Sequence, residues 1–375
     1  MTSWLLASGD FVPVGGMDTA NHAFASFLAR RGGTDVHLVA HRVAPELASR
    51  PGVHVHRVPR PFGLHTLGEP LLTSVATRRS REVLRSGGHV VANGGNLNAG
   101  DLAWIHYVHA AYSPLASGIF NAPFGAFKHR QYLAAERRAL TRARLVICNS
   151  DRTVDDVVKH VGVDPTRVRR VYYGIDAERF HEVGDSAAAK VRLGFKPDTP
   201  IVLFVGALGD RRKGFDTVSD AWRSVSRKTD WDAQLLVAGS GAELSAWRAR
   251  ASTDGTAGCV TFLGYRTDVA DLMAAADLLV HPARYEAYGL AVHEALCRGV
   301  PVIVSSCAGV VERLPESLGG LLIHDANSAD DLAARLLYWR DRVLDLRERT
   351  RGVGAMLRAR SWDDMSREIV DMAES

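Results

Sequence analysis

The most restrictive feature of this sequence is a repeated alternation of short aliphatic runs with longer segments of helical periodicity. This alternation is typical of parallel sheets whose two faces are covered by helices. The predicted strands are residues 4–7, 35–40, 53–58, 89–92, 103–106, 145–148 and 168–172 in the first half, and 201–206, 234–238, 260–263, 278–280, 302–304 and 321–323 in the second. The chain is therefore predicted to fold as two doubly wound α/β domains.

A change in composition predicts where the first domain ends. Residues 182–200 are small, polar and proline-bearing, and a new strand begins at residue 201. We therefore expect a first domain over 1–181, a second over 182–360, and a C-terminal helix over 361–375 with Ser361 as its N-cap. Because parallel sheets bind ligands at the carboxyl ends of their strands, a cleft between the two domains is the expected binding site.

Composition excludes several classes of protein. The four cysteines form no CxxC pair and have no histidines at ligand spacing, so neither a disulfide framework nor a structural zinc site is predicted. No run reaches the roughly 18 apolar residues of a membrane span, and the first residues lack a basic leader. These features predict a cytoplasmic protein.

Basic residues are concentrated in the first half of the chain. Residues 1–180 contain 22 Lys and Arg against 14 Asp and Glu, whereas residues 181–375 contain 24 against 28. An acidic acceptor, an anionic lipid surface or nucleic acid would each match this asymmetry, and so would scattered solvated arginines. The stretches 57–85 and 127–144 are the most basic, and they are compatible with peripheral membrane contact.

The strongest motif lies in segment 275–314. Glu286 and Glu294 are separated by seven residues, and a strand over 278–280 precedes them. A helix over 289–297 and then a further strand follow. This pattern resembles the E-x7-E motif of retaining glycosyltransferases of family 4. The resemblance implies a GT-B fold, with two Rossmann-like domains facing an interdomain cleft, and a hexosyltransferase-type activity of class EC 2.4.

The residues of this segment also favour a phosphate and sugar site on chemical grounds. Gly289 and Leu290 begin a helix whose first amides are unpaired, and such amides suit an anionic phosphate. Glu294 can hold the vicinal hydroxyls of a ribose, and Glu286 can accept hydrogen bonds from the transferred sugar. The alternative interpretation is that both are ordinary solvated acids near a helix start.

A second motif begins where the strand 201–206 ends. Segment 204–216 resembles the phosphate loop of the same family, in which a glycine ends the strand and a Lys-Gly pair opens the next helix. Arg211, Arg212 and Lys213 would neutralise a diphosphate leaving group. The sequence departs from the family pattern at Ala207, where an arginine is usual, so Arg211 or Arg212 must supply that charge. A solvated basic turn is the alternative interpretation.

Two further features in the first domain match the family. Gly15 and Gly16 follow the first strand, and their amides could face a phosphate or the reacting oxygens, although a glycine pair is often only a tight turn. His109 matches a histidine that touches the transferred sugar in similar enzymes better than His106 does. Tyr173 stands where the family usually has asparagine, which is a second departure.

The combined motifs predict a retaining glycosyltransferase that moves a sugar from a nucleoside-diphosphate-sugar donor to a hydroxyl acceptor. Lipid-linked, polysaccharide and natural-product acceptors all fit. No D-x-D pair of the metal-dependent kind is present, so neither a metal nor another cofactor is expected, and the nucleotide-sugar is a substrate. Nucleic acid is not an expected partner. The alternatives are a GT-B epimerase, an inverting transferase, or a non-catalytic subunit that binds anionic lipid or nucleic acid.

Overall fold

A computed structural model describes residues 2–63, 65–97, 101–112 and 122–375 of the chain. These residues form two compact units. The first comprises Met1–Gly174 together with Ser361–Ser375, and the second comprises Ile175–Arg360. Among the described residues, no helix combines the length and the hydropathy that a transmembrane helix requires.

The strands form two parallel sheets and one short two-stranded ladder. In chain order they are β1 (Thr2–Ala7), β2 (Asp10–Phe11), β3 (Thr34–Ala40), β4 (Arg42–Val43), β5 (Val53–Arg57), β6 (His89–Asn93), β7 (Leu102–Ile105), β8 (Leu145–Cys148), β9 (Val168–Arg170), β10 (Ile201–Val205), β11 (Gln234–Ala238), β12 (Val260–Gly264), β13 (Leu278–His281), β14 (Val302–Ser305) and β15 (Leu322–Ile323).

The helices lie mostly between consecutive strands. They are α1 (Gly16–Arg30), α2 (Pro45–Ala48), α3 (His65–Arg85), α4 (Ala122–Arg142), α5 (Asp151–Asp156), α6 (Ala187–Arg192), α7 (Phe215–Val225), α8 (Leu244–Thr253), α9 (Val269–Ala275), α10 (Leu290–Cys297), α11 (Ala329–Arg340), α12 (Val343–Arg358) and α13 (Trp362–Glu374). Short 3-10 helices occur at Pro61–Gly63, Gly94–Asn96, His109–Ala111, Pro165–Arg167, Arg211–Lys213, Gly309–Arg313 and Glu316–Leu321, and a π-helical turn occurs at Val157–Val161.

Both sheets have the doubly wound strand order. In the first unit the order is β5-β3-β1-β6-β7-β8-β9, and in the second it is β12-β11-β10-β13-β14-β15. The neighbouring strands of both sheets run parallel, as in the register Leu5↔His37 between β1 and β3. The strand order reverses between β1 and β6 in the first unit and between β10 and β13 in the second. Sheets of this kind bind ligands at such a reversal point.

Burial on both faces explains why the strands were visible in the sequence. Ile201, Val202, Leu203 and Phe204 of β10 are all 0% exposed. A strand covered by helices on both faces needs apolar side chains at every position, so it appears as a continuous run rather than an alternating pattern.

The last helix, α13, belongs to the first unit. Ser361 and Asp364 form a reciprocal capping box at its start. Arg30 of α1 pairs with Asp363 at 2.5 Å. A Cβ on Gly174 would lie 2.1 Å from the carbonyl oxygen of Ser361, so only glycine allows the chain to pass there.

The unit boundary lies between Gly174 and Ile175, earlier than the boundary at 181/182 that composition suggested. The residues that follow Gly174 form hydrogen bonds and ion pairs with the rest of the second unit. The Ile175 amide donates to the Arg360 carbonyl at 3.0 Å. Glu182 pairs with Arg351 at 3.2 Å and with Arg358 at 3.1 Å. Composition identifies a polar surface segment, but it does not show which unit that segment contacts. The cleft between the units stays a prediction.

Candidate functional site

In the second unit, the loops that follow β10 and β13 pack against each other through their backbones. Gly214 has a φ of +73°, and a Cβ there would lie 2.1 Å from the carbonyl oxygen of Pro282. The Arg284 amide donates to the carbonyl of Arg212 at 2.8 Å. The glycine in the Lys-Gly pair is therefore required by this close approach.

The loop that follows β11 completes this edge of the sheet. A Cβ on Gly239 would lie 1.8 Å from the carbonyl oxygen of Gly206. The Leu208 amide donates to the carbonyl of Ser240 at 2.9 Å. Three neighbouring strands of the sheet, β11, β10 and β13, are thus each followed at the carboxyl end by a tightly packed loop, where a ligand can approach the backbone.

Lys213, Glu286 and His281 form a connected cluster at this edge. The Lys213 ammonium lies 2.6 Å from Oε2 of Glu286, and the two side chains are 19% and 13% exposed. Nε2 of His281 lies 3.0 Å from the same Oε2, and His281 is 2% exposed. The structure therefore brings together two predicted residues, Lys213 and Glu286, with a histidine to which the sequence analysis gave no role.

The surroundings of Glu286 keep it ionised. Burial acts to raise the pKa of Glu286, but the Lys213 charge, the His281 hydrogen bond and the Arg212 charge together hold that pKa well below its usual value. Burial lowers the pKa of His281, which favours its neutral form. The cluster thus consists of one carboxylate beside one ammonium and a neutral imidazole.

Arg211 and Arg212 differ in their positions. Arg212 has an 18% exposed side chain, hydrogen-bonded to Asp210 at 3.0 Å, and its charge acts on Glu286. Arg211 is 51% exposed and lies 3.9 Å from Glu243, on the loop after β11. Of the two arginines, Arg212 is therefore the one beside the Lys213 cluster.

Helix α10 begins at this edge with unpaired amides. Gly289 precedes it with a φ of +108° and provides no side-chain cap, and Leu290 is its first residue. The carbonyl oxygens of Glu286 and Tyr288 accept hydrogen bonds from Gly309 and Val310 at 3.1 and 2.8 Å, which fixes the preceding loop. The helix N-terminus is thus a rigid set of donors suited to an anion.

Glu294 lies within α10 and is half-buried. Burial raises the pKa of Glu294 to about 7, although the Arg179 charge opposes the shift. The carboxyl group therefore titrates near neutrality, unlike that of Glu286. The two acids of the motif have opposite electrostatic environments.

In the first unit, Gly15 and Gly16 form an exposed turn at the start of α1. Gly15 has a φ of +86° and provides no side-chain cap, and Gly16 is the first residue of the helix. Nearby Asp18 has a pKa raised to about 6 by burial and by the charge of Asp10. The glycine turn has the exposed amides that its predicted role requires.

His109 stands on a short helical turn that a buried acid holds in place. Glu136 of α4 is 1% exposed and accepts hydrogen bonds from the amides of His109 and Ala110 at 2.8 and 3.0 Å. Its Oε1 also lies 3.2 Å from Nδ1 of His109. The Tyr132 ring lies 5.2 Å from the imidazole. Sequence reasoning missed Glu136, because nothing in the helical pattern shows that it reaches a loop 27 residues earlier.

His106 has a different environment. Its Nδ1 hydrogen-bonds to the hydroxyl of Tyr173, which accepts a hydrogen bond from Asn149 at 3.0 Å. Burial lowers the pKa of His106 to about 3, so the imidazole is neutral. Tyr173, at the position where the family usually has asparagine, therefore links two side chains inside the first unit.

Comparison with known proteins assigns the family. The model of Glycosyltransferase Family 4 matches residues 14–179, and that of Glycosyl transferases group 1 matches residues 199–341. The chain belongs to the family-4 glycosyltransferases. D-inositol 3-phosphate glycosyltransferase 2 from Catenulispora acidiphila is 31% identical to this family-4 chain over 227 residues, which cover 58% of the chain and 53% of the relative. The chain spans about half the length of the curated relatives it matches.

Solved structures show the same fold. The crystal structure of WaaG, a glycosyltransferase involved in lipopolysaccharide biosynthesis, superposes with a TM-score of 0.78 at 21% identity and covers 99% of both chains. That of Anabaena Alr3699/HepE in complex with UDP gives a TM-score of 0.74 at 20% identity and covers both chains completely, at 100% each. The family-4 chain therefore has the GT-B fold.

Potential metal ligands do not cluster in the part of the chain that the structure describes. No group of three or more His, Cys, Asp or Glu side chains there could hold a metal ion. Metal independence of the reaction stays a prediction.

Proposed function

We propose that this family-4 chain is a retaining, metal-independent glycosyltransferase that moves a sugar from a nucleoside-diphosphate donor to a hydroxyl acceptor. The observation that carries the proposal is the meeting of Lys213, Arg212 and the N-terminus of α10 at one edge of the second sheet. Cationic groups and aligned amides are what a departing diphosphate requires when no metal neutralises it. Cytoplasmic location and peripheral membrane contact remain part of this proposal.

Each predicted residue has a role in the proposed reaction. Lys213 and Arg212 take up the charge that develops on the leaving diphosphate, and the amides after Gly289, beginning with Leu290, bind its oxygens. Arg211, which lies near Glu243, stabilises the same diphosphate charge from a longer distance. Glu294 accepts hydrogen bonds from the ribose.

The remaining roles concern the transferred sugar. Glu286, held as a carboxylate by Lys213 and His281, accepts hydrogen bonds from its hydroxyls. In the first unit, His109 orients the sugar, and the amides of Gly15 and Gly16 act on the phosphate. The acceptor oxygen attacks the anomeric carbon from the face that the diphosphate leaves. The carbon–oxygen bond to phosphate breaks, and the acceptor proton passes to a diphosphate oxygen.

Nucleotide binding is the first test. Thermal unfolding is followed with UDP, GDP, ADP and dTDP, and UDP comes first because HepE binds it. A nucleotide at a hundred times its dissociation constant adds about 2.7 kcal/mol of stability, which shifts the midpoint measurably. We expect one nucleotide to stabilise the wild type and Glu316→Ala, an exposed control in the same unit, but not Glu294→Ala. No shift with any nucleotide would contradict the proposal.

The reaction itself is tested by transfer assays. Product analysis by NMR should show the anomeric configuration of the donor, and an inverted product would reject the retaining mechanism. Turnover should be unchanged by a chelator such as EDTA. A chelator-sensitive rate that added Mg²⁺ restores would reject metal independence.

A further inference from the structure

A basic pocket opens in the first unit where β3 and β5 end. Its volume is about 450 Å³, and it is lined by His41, Arg42, Arg57, Val58, Pro59 and Arg60. None of these residues has a role in the function proposed above. Three like charges around one concavity repel one another, so nearby negative charge is needed to offset that repulsion.

The sheet topology places these residues together. Strands β3 and β5 are parallel neighbours, with Ala40 opposite Arg57, so the segments after both strands emerge at the same edge. The Val58 amide donates to the carbonyl of Ala40 at 2.9 Å, and Nδ1 of His41 donates to the carbonyl of Val58 at 2.9 Å. A Cβ on Gly68 of α3 would lie 2.7 Å from the His41 ring. The wall of the pocket is therefore fixed by packing.

A buried acid orients two of the arginines. Asp10 is 5% exposed, and it pairs with Arg42 at 2.6 Å and with Arg60 at 3.5 Å. Arg42 nevertheless keeps 62% of its side chain exposed. Arg57 is exposed and has no acidic partner among the residues that the structure describes. Asp18 is a second acid close enough to Arg42 and Arg60 for their charges to act on it. Three arginines line the pocket against these two described carboxylates, so the formal balance is positive.

An exposed aromatic ring follows the pocket in sequence. Phe62 is 92% exposed, and its φ of +53° makes it the one non-glycine residue with positive φ in the described part of the chain. Both the backbone and the exposed ring are unfavourable for the isolated protein, and such strain concentrates at functional sites. Phe62 follows Arg60 by two residues in the chain, and an exposed ring so near in sequence to the pocket arginines suits a ligand with an apolar part and an anionic group.

We propose that this pocket binds the phosphate group of a phosphorylated acceptor. The inference rests on the function proposed above and narrows its acceptor class. Guanidinium groups recognise phosphate with paired, charge-assisted hydrogen bonds, and the carboxyl edge of the sheet is where this fold binds ligands. Either a soluble phosphorylated sugar or polyol, or the headgroup of a phospholipid, carries the required group.

The first experiment measures phosphate binding by the full chain. Inorganic phosphate is titrated calorimetrically at constant ionic strength. Because the proposed function places other phosphate-binding groups around Lys213 and at Gly15 and Gly16, all titrations are made in a Lys213→Ala background. Only the part of the phosphate binding that Arg57→Ala removes is assigned to the pocket. We expect Arg57→Ala to weaken phosphate binding tenfold or more, Arg57→Lys to have an intermediate effect, and Arg138→Ala, an exposed control on α4, to change it less than twofold. Phosphate binding that is absent, or unaffected by Arg57→Ala, overturns the proposal.

The second experiment distinguishes the two sources of phosphate. With otherwise wild-type protein, transfer to a phosphorylated sugar is compared with transfer to the same sugar without phosphate. Binding to vesicles of phosphatidic acid is compared with binding to vesicles of phosphatidylcholine. Arg57→Ala should raise the acceptor KM tenfold or more, or weaken anionic vesicle binding as much, and leave the donor KM unchanged. Phe62→Gly should also raise the acceptor KM without lowering the melting temperature.

The outcomes separate this inference from the proposed function. Arg57-dependent phosphate binding without any sugar transfer supports the pocket and contradicts the transferase. Transfer with full activity towards acceptors that lack phosphate, unchanged by Arg57→Ala, supports the transferase and overturns the pocket.

Discussion

Lys213 and Glu286 form an ion pair that has both a structural and a proposed functional role, and their substitution can separate the two. Removing one partner of a largely buried pair leaves an uncompensated charge. We expect Lys213→Ala to lower the free energy of unfolding by about 2–4 kcal/mol and kcat at least 100-fold. Lys213→Ala combined with Glu286→Gln should recover stability but not kcat. Urea unfolding and steady-state kinetics measure both quantities. Recovery of kcat in the double variant would show that the pair only stabilises the fold.

Glu294 predicts a pH dependence of stability. Burial raises its pKa from the ordinary value of 4.5 to about 7 in the folded chain. Between these values the folded state binds more protons than the unfolded state, so this carboxyl lowers stability as pH rises from about 4.5 to 7. Glu294→Gln should therefore match the wild type below pH 4.5 and be more stable above pH 7 by roughly 1–3 kcal/mol. Thermal melts of both proteins across this range test it, with Glu316→Gln as a control. A constant difference at all pH values would contradict the assignment.

The sequence identified these residues one at a time but not their pairing. Lys213 and Glu286 were found because motifs mark both positions, yet they are 73 residues apart. Their contact depends on the close passage of Gly214 over Pro282. His281 directly follows the strand predicted over 278–280, and no motif in the sequence assigned it a role. Side-chain geometry across two loops is set by the tertiary fold, which local patterns do not contain.

At the scale of elements, α4 supports the turn that carries His109. Glu136 accepts hydrogen bonds from two amides of that turn and contacts the imidazole. Glutamine would replace one acceptor oxygen with a donor, so Glu136→Gln should lower kcat about tenfold if one such charged hydrogen bond is lost. The donor KM should change less than kcat.

A double-mutant cycle shows whether Glu136 acts through His109. If it positions His109, Glu136→Gln should cost nothing further in kcat once His109→Ala is present. Gln131→Ala, an exposed change on the same helix, should leave kcat unchanged. Additive losses in the double variant would show that Glu136 only stabilises α4 and its neighbours.

Most elements were predictable because the central strands of both sheets are buried on two faces. The strands β8 and β11 have the predicted bounds, Leu145–Cys148 and Gln234–Ala238. The strand predicted over 168–172 ends at Arg170. The amide of Val171 still donates a hydrogen bond to the carbonyl of Cys148 on β8, but the ladder does not continue beyond it. Continuous apolar runs locate a strand, whereas its end depends on hydrogen bonds to a neighbour that lies far away in sequence.

At the scale of the whole molecule, the first unit is built from both ends of the chain. The capping residues predicted helix α13, and its contacts with Arg31 and Arg144 show why it belongs to the first unit. Arg31 of α1 bonds to Glu374 at 2.5 Å, and Arg144 donates to the carbonyl of Ala373 at 2.9 Å. The apolar face of α13 is buried against this unit, so the core of the first unit includes residues that lie about 190 positions after Gly174 in the chain.

Weakening α13 should therefore affect the first unit alone. Ile369 is 0% exposed, and truncating a buried isoleucine costs about 2–5 kcal/mol. In Ile369→Ala, hydrogen exchange should become faster in α1, β1 and β6, while β10–β14 and nucleotide binding by the second unit remain as in the wild type. Met372→Ala, at a partly exposed position of the same helix, is the matched control and should have a smaller effect. Equal acceleration in both units would mean that they unfold together, because a loss confined to one core can spread only if the two are energetically coupled.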